Sequence, residues 1–131
     1  MIFDVGVDIE EHQRFLKYLD SEKSKYLLSV YSQKEIDNYQ KFKSHLCFAI
    51  GFSCKEAFFK AFGETWANSP MQWTDIEIFF KSKPTHKNAE VIFSGYAKTL
   101  INNNKLQISP EFNYKIMPTS VLFEATLLSI V

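Results

Sequence analysis

A long helical segment between residues 45 and 62 constrains the fold of this chain more than any other feature. Its phenylalanines recur at helical spacing and, at about 100° per residue, form one apolar stripe: Phe48, Phe52, Phe59 and Phe62. Lys55 falls inside that stripe, and Glu56 lies at its edge, one turn before Lys60. Because packing alone does not favour charges there, the segment predicts a helix that carries chemistry, with Glu56 partly desolvated unless a cation lies nearby.

The N-terminal segment predicts a strand at residues 2–8 with two carboxylates on one face. Alternation places Asp4, Gly6 and Asp8 together, opposite a face of aliphatic residues. Gly6 has no Cβ, so a ligand or another backbone can approach closely, and an Asp at a strand end can hold a hard cation through oxygen. The alternative is an ordinary edge strand whose solvent face carries two acidic residues.

Length and charge predict one globular domain over residues 1–131. The chain is 46% hydrophobic, which is enough for a substantial core at this length. Fifteen basic and fifteen acidic residues cancel, so a general nucleic-acid binder is disfavoured.

Arg14 is the only arginine in the sequence, so it offers the only guanidinium fork for a phosphate; a surface helix residue is the competing interpretation.

The sequence favours a soluble cytoplasmic protein. It shows no signal-peptide pattern and no apolar run long enough to span a bilayer. Cys47 and Cys54 lie seven residues apart on one predicted helix, too far for an easy disulfide, so free thiols in a reducing compartment are expected. The three histidines lack metal-ligand spacing and are predicted to be surface or helix-cap residues.

Periodicity and turn signals predict an α+β fold. Strands are expected at 2–8, 73–80, 89–94, 105–109 and 119–130. Helices are expected at 10–20, 21–31, 33–43, 45–62 and 95–102. Glu10 and Glu11 are interpreted as a helix start, and Ser32 with Glu35 as a capping box. Strands that are apolar on both faces imply helices on one face and a partner chain on the other.

These motifs resemble the holo-acyl-carrier-protein synthases, the small 4′-phosphopantetheinyl transferases. The matching stretches are Gly6-Val7-Asp8, Arg14-Phe15, the helix from Phe52 to Gly63, the strand from Trp73 to Ile78, and the Lys83-Pro84 turn. The resemblance extends from about residue 2 to the C-terminal strand. It implies an antiparallel sheet packed against helices, and a homotrimer with active sites between subunits.

The resemblance also implies a reaction. The chain would transfer the phosphopantetheine group of coenzyme A to a serine of an apo acyl carrier protein, releasing adenosine 3′,5′-bisphosphate. Carried over by residue, Asp8 and Glu56 would hold Mg²⁺, while Glu56 and Lys60 would serve catalysis. Coenzyme A would contact Lys55, Lys60, Gly63, Lys83 and Pro84, with Lys55 alternatively snorkelling to solvent. Arg14 would face the carrier protein or the phosphate. The base stays open between a metal-bound water, Glu56 and a group on the partner.

Several positions depart from the family pattern. Met117 and Pro118 stand where the family has a serine and a histidine near the coenzyme A pocket. Gly51 replaces an arginine, and the turns at Gly63-Glu64-Thr65 and Ser82-Lys83-Pro84 are altered. The pattern implies a divergent member; the alternative is a catalytically weak homologue that binds a carrier protein or synthase as a scaffold.

Overall fold

A computed structural model describes residues 2–64, 69–85, 88–102 and 107–129. The strands are β1 (Ile2–Glu11), β2 (Ile76–Phe80), β3 (Ala89–Phe93), β4 (Ile108–Ile116) and β5 (Ser120–Ser129). The α-helices are α1 (Ser21–Lys25), α2 (Gln33–Phe42), α3 (His45–Ala61) and α4 (Gly95–Asn102). Two 3₁₀ helices cover His12–Leu19 and Trp73–Asp75.

Two antiparallel sheets pack around α3. One has the strand order β1-β5-β4, and the other pairs β2 with β3. In the larger sheet Gly6 lies opposite Ala125 and Asp8 opposite Phe123. The core contains the fully buried rings of Phe48, Phe58 and Phe123. This architecture confirms the predicted α+β class.

The helix α3 is enclosed far more completely than one apolar stripe predicts. Buried side chains occur around most of its circumference, whereas the stripe residue Phe52 is only half-buried. The enclosure arises because β1, β5, β2 and the 3₁₀ helix His12–Leu19 all pack on α3. It is thus the central element of the core, which explains why its sequence is apolar almost throughout.

The two faces of β1 are reversed relative to ordinary amphipathic packing. Its aliphatic face is exposed, with Val5, Val7 and Ile9 showing 45%, 44% and 61% of their surface. Its other face, which carries Gly6 and Asp8, packs against α3 and is buried. The competing interpretation of a solvated acidic face therefore does not describe Asp8.

The bounds of three elements differ from those predicted. β1 continues to Glu11, so Glu10 and Glu11 end a strand and do not begin a helix. The helix expected at 21–31 is regular only over Ser21–Lys25. β4 begins at Ile108 and runs on to Ile116, beyond the predicted strand at 105–109, whose first two residues lie outside the described parts.

Other predictions are confirmed. Ser32 Oγ accepts from Glu35 N at 3.1 Å and Glu35 Oε1 accepts from Ser32 N at 3.0 Å, which is the capping box. Cys47 and Cys54 are free and buried, and burial raises the pKa of the Cys47 thiol to about 12. Within the described residues, every helix is too short or too polar to cross a membrane.

Candidate active site

Gly6 allows β1 to lie directly against α3. A Cβ at this position would lie 1.9 Å from the carbonyl oxygen of Ala57 and 2.6 Å from the nitrogen of Ala61. Any larger residue would force the strand and the helix apart, because these are backbone atoms that cannot rotate away. The contact holds the β1 segment that carries Asp8 beside the turn of α3 that carries Glu56 and Lys60.

Asp8 and Lys60 form an ion pair across this junction. Lys60 Nζ lies 3.2 Å from Asp8 Oδ1 and donates also to the carbonyl oxygen of Val7 at 3.1 Å. The Lys60 side chain is 52% exposed and that of Asp8 only 9%. The sequence also allowed a Glu56–Lys60 surface pair; the structure shows that the ammonium bridges helix and strand, and half of the Lys60 side chain is exposed to solvent.

The second carboxylate oxygen of Asp8 does not take part in this ion pair. Oδ2 is buried and has no hydrogen-bond partner among the described residues. A buried acceptor without a partner costs on the order of 1–3 kcal/mol, more when it is charged, and a bound cation would remove that cost. The described residues gather no group of three or more His, Cys, Asp or Glu side chains around a common point. A carboxylate oxygen such as Asp8 Oδ2 suits a hard cation like Mg²⁺, which fills its other positions largely with water and ligand oxygens.

Glu10 is a carboxylate at this site that the sequence interpretation missed. Burial, followed by the negative charge of Asp8, raises the pKa of Glu10, while Arg14 opposes that rise. Glu10 and Asp8 lie two apart on β1 and so share a face. That spacing was the available signal, but the expectation of a helix at residue 10 concealed it.

Arg14 lies beside Glu10. Its Nη2 is 2.6 Å from Glu10 Oε2. The guanidinium carbon is 4.5 Å from the ring centre of Phe15 and 5.1 Å from that of Phe52, both within cation–π range. The Arg14 side chain is 50% exposed, so the only arginine of the chain is oriented by two rings and one carboxylate at the protein surface.

The structure contradicts the two roles predicted for Lys55, a coenzyme A contact and a side chain that snorkels to solvent. Its side chain is fully buried, and Nζ donates to Glu35 Oε1 at 2.9 Å, to the Trp73 carbonyl at 3.0 Å, and to the Ile76 carbonyl. An ammonium has three donors, and all are used. In this arrangement Lys55 neither snorkels to solvent nor has a donor left for a nucleotide phosphate, so we assign it a structural role.

The remaining predicted coenzyme A residues lie in two turns. Lys83 is exposed and Pro84 buried in the β2–β3 turn, where Asn88 Nδ2 donates to the Lys83 carbonyl at 2.9 Å. Gly63 follows α3 with a φ of +71°. Within the described residues, no hydrogen bond or ion pair joins these positions to Asp8 or Lys60, and their roles stay predictions.

The β4–β5 turn at Met117 and Pro118 holds two imidazoles that the sequence did not bring together. His12 Nε2 lies 3.2 Å and 3.0 Å from the carbonyl oxygens of Met117 and Pro118, and His12 Nδ1 lies 3.0 Å from His45 Nε2. Carbonyls only accept, so His12 Nε2 carries a proton, and in the neutral form of His12 the Nδ1 atom accepts from His45. Burial, followed by the proximity of His12, lowers the pKa of His45.

Packing explains why residue 51, one of the departures from the expected pattern, is a glycine. It is buried, and a Cβ would lie 2.7 Å from the hydroxyl of Tyr39. The Tyr39 hydroxyl lies 2.7 Å from Ile78 O and 2.9 Å from Glu35 Oε2, so these two acceptors share its one proton. A long side chain at residue 51 would displace this buried hydroxyl.

Known proteins resemble this chain over most of its length. Residues 4–112 match the model of the 4′-phosphopantetheinyl transferase superfamily. A holo-[acyl-carrier-protein] synthase of Thermoanaerobacter sp. (strain X514) is 36% identical over 118 residues, covering 86% of this chain and 81% of that protein. One from Wolbachia pipientis wMel is 31% identical over 120 residues, covering 87% and 89%. The chain spans only 62% of the length of a relative from Geotalea daltonii, at 35% identity over 60% of this chain.

Solved structures share the fold. The crystal structure of holo-[acyl-carrier-protein] synthase from Neisseria meningitidis superposes with a TM-score of 0.77 at 16% identity, covering 98% of this chain and 100% of that one. The Helicobacter pylori protein in complex with coenzyme A gives 0.67 at 22% identity, covering 95% and 99%. These likenesses confirm the predicted fold.

Proposed function

Because the chain belongs to the 4′-phosphopantetheinyl transferase superfamily, we propose that it transfers the 4′-phosphopantetheine group of coenzyme A to a serine of an apo acyl carrier protein. The observation that carries the proposal is the buried, unpartnered Oδ2 of Asp8 beside the solvent-accessible ammonium of Lys60. Asp8 Oδ2 suits a cation and the Lys60 ammonium suits an anion. A site for a pyrophosphate and its counter-ion requires both.

The proposed reaction is an in-line displacement at phosphorus. The serine oxygen forms a bond to the phosphorus that bears the pantetheine, and the bond from that phosphorus to the bridging pyrophosphate oxygen breaks. Adenosine 3′,5′-bisphosphate leaves with the electron pair of the broken bond, and the serine proton passes to a base. Glu56, half-buried on α3, and a group on the carrier protein are the candidates for that base.

Asp8 and Glu56 would hold Mg²⁺, which when bound would neutralise charge on the pyrophosphate. Lys60 would contact the phosphates, since half of its side chain is exposed to solvent. Lys83 and Gly63, both exposed, remain proposed coenzyme A contacts together with Pro84. Arg14 would face the carrier protein, because a planar guanidinium at the surface suits an acidic partner.

Homotrimer formation is part of the proposal. The exposed row of Val5, Val7 and Ile9 on β1 is a patch that a second copy of the chain would cover. Light scattering should give three times the mass of the chain, and Val7→Glu should lower it. A cytoplasmic location is also proposed, supported by the two free thiols.

A second candidate function is non-catalytic binding of a carrier protein or synthase. The observation that favours it is the β4–β5 turn, which carries Met117 and Pro118, where the family resemblance implies a serine and a histidine. His12 Nε2 contacts both carbonyls of that turn, which is a structural role and does not decide between the two candidates.

Intact-mass spectrometry tests the proposed transfer. Apo acyl carrier proteins are incubated with the protein, coenzyme A and Mg²⁺, and a mass gain equal to phosphopantetheine is expected. Asp8→Asn should abolish the gain because it removes the charge at nearly constant volume. Asp4→Asn is the matched control, since Asp4 shares the strand face but is exposed and bonds only its neighbour's backbone, Val5 N, at 2.8 Å. Binding of a carrier without any mass gain would favour the second candidate.

A further inference from the structure

The two cations that the proposed reaction needs are both held by carboxylates of one strand face. Lys60 pairs with Asp8 at 3.2 Å, and Arg14 pairs with Glu10 at 2.6 Å. Asp8 and Glu10 are next-but-one neighbours on β1 and influence each other electrostatically. A charge introduced at either carboxylate is therefore felt by the other pair.

We infer that a divalent cation bound at Asp8 releases Arg14 from Glu10, so that cation binding and carrier-protein binding strengthen each other. This inference rests on the proposed function, because it assigns the cation to Asp8 and the partner to Arg14. It concerns the state of the chain before any transfer takes place.

The release follows from the relative strength of the interactions. Asp8 is nine-tenths buried and has an unpartnered oxygen, whereas Arg14 is half exposed and its pair with Glu10 is weakened by solvent. A divalent cation brings two positive charges next to Glu10. These charges compete with the Arg14 guanidinium for the Glu10 carboxylate and also repel the guanidinium. The exposed Arg14–Glu10 pair therefore breaks more readily than the interactions of the buried Asp8.

The aromatic contacts keep the released arginine in place. Phe15 and Phe52 lie under the guanidinium, and neither contact depends on Glu10. Arg14 would thus exchange a carboxylate of its own chain for one on an acidic partner without losing its position. By linkage, the factor by which the cation tightens partner binding equals the factor by which the partner tightens cation binding.

The single arginine permits a direct measurement. In a ¹⁵N-labelled sample, the Nε–Hε group of Arg14 gives one side-chain signal, because no other residue is an arginine. Mg²⁺ is titrated into the protein with neither coenzyme A nor carrier present. We expect this signal to shift with the same midpoint as the backbone amide of Asp8.

Two variants make the titration decisive. In Glu10→Gln, the Arg14 signal should already lie near its Mg²⁺-saturated position and move little, while the Asp8 amide still responds. Glu111→Gln, an exposed substitution on β4, should behave like the parent. An Asp8 amide that responds while the Arg14 signal stays still overturns the inference alone. If neither responds, the proposed cation site fails together with the inference.

Partner affinity supplies the second readout. The probe is an apo acyl carrier protein whose acceptor serine is replaced by alanine, so that it binds without reacting. Mg²⁺ should tighten its binding by about two- to five-fold, the range that a surface ion pair can supply, and by a factor near one in Glu10→Gln. Equal affinity with and without Mg²⁺ in the parent overturns the inference, whereas the mass-gain assay judges the proposed function separately.

Discussion

Two lysines of α3, Lys55 and Lys60, lie five residues apart, and each pairs with a carboxylate on another element. The two pairs have opposite surroundings. Lys55 and Glu35 are both fully buried, whereas Lys60 is 52% and Asp8 9% exposed. Glu35 also accepts from the Tyr39 hydroxyl, and all three Lys55 donors are used. Asp8, in contrast, keeps one buried oxygen without a partner.

The difference separates a structural charge pair from a candidate ligand site. A buried pair with every hydrogen bond satisfied leaves nothing for a substrate, and its removal affects the fold. A pair that is half open, with an acceptor left over, is free to exchange partners. Both lysines belong to the same motif, so residue type alone does not distinguish them.

Among the substitutions that test the contrast between the two pairs, Lys55→Met should have the largest effect on stability. It leaves the Glu35 carboxylate buried without its cation, which should lower the free energy of unfolding by about 3–5 kcal/mol. Urea denaturation monitored by circular dichroism measures it. Lys60→Met is the matched control on the same helix. A loss below about 1 kcal/mol for Lys55→Met would contradict the structural assignment.

Gly6→Ala should have the next largest effect. The added methyl would overlap the Ala57 carbonyl, so β1 must move from α3, at a cost of about 1–3 kcal/mol. Asp8 moves with the strand, so transfer activity should fall as well. Gly63→Ala is the steric control for unfolding, since among the described residues beyond its chain neighbours no atom lies within 4 Å of its Cβ position, and its positive φ is the remaining source of strain. Unchanged stability and activity in Gly6→Ala would disprove the close approach.

Lys60→Gln should separate activity from stability. The pair is half exposed, so the free energy of unfolding should change by less than about 1 kcal/mol. Transfer, measured as kcat/KM, should fall by about 100-fold or more if the ammonium stabilises charge on the phosphates. Lys60→Arg tests whether charge alone suffices. Full activity in Lys60→Gln would remove Lys60 from the proposed machinery.

The smallest effect expected is the pH dependence of the His12–His45 contact. The pKa of His45 is lowered below its usual value of 6.5, so the folded chain binds fewer protons at His45 than the unfolded chain. Its contribution to stability is complete above about pH 6.5 and is lost as the pH falls through the lowered pKa.

Comparing the parent with His45→Gln isolates that contribution. Carboxylates such as Glu10 titrate in both proteins and largely cancel in the difference. Denaturation at pH 7.5 and pH 5.5 should show a larger acid-induced loss in the parent than in the variant. An equal loss in both would show that the contact contributes no pH dependence.

Several features of the fold and site were readable from local sequence. The capping box at Ser32 and Glu35, the strand through Gly6 and Asp8, and the α3 helix all follow from spacing within a few residues. Local chemistry fixes such features because caps, alternation and helical periodicity depend on near neighbours. The motifs they carry were enough to predict the family.

The amino-acid sequence by itself therefore determined the class of fold, the family, and the residue types available for chemistry. Only the tertiary structure decided that Lys55 is buried against Glu35, that Lys60 reaches Asp8 on another element, and that His12 and His45 meet across 33 residues. The physical reason is that solvent access and remaining hydrogen-bond capacity depend on which distant elements pack around a side chain, and no local pattern records that.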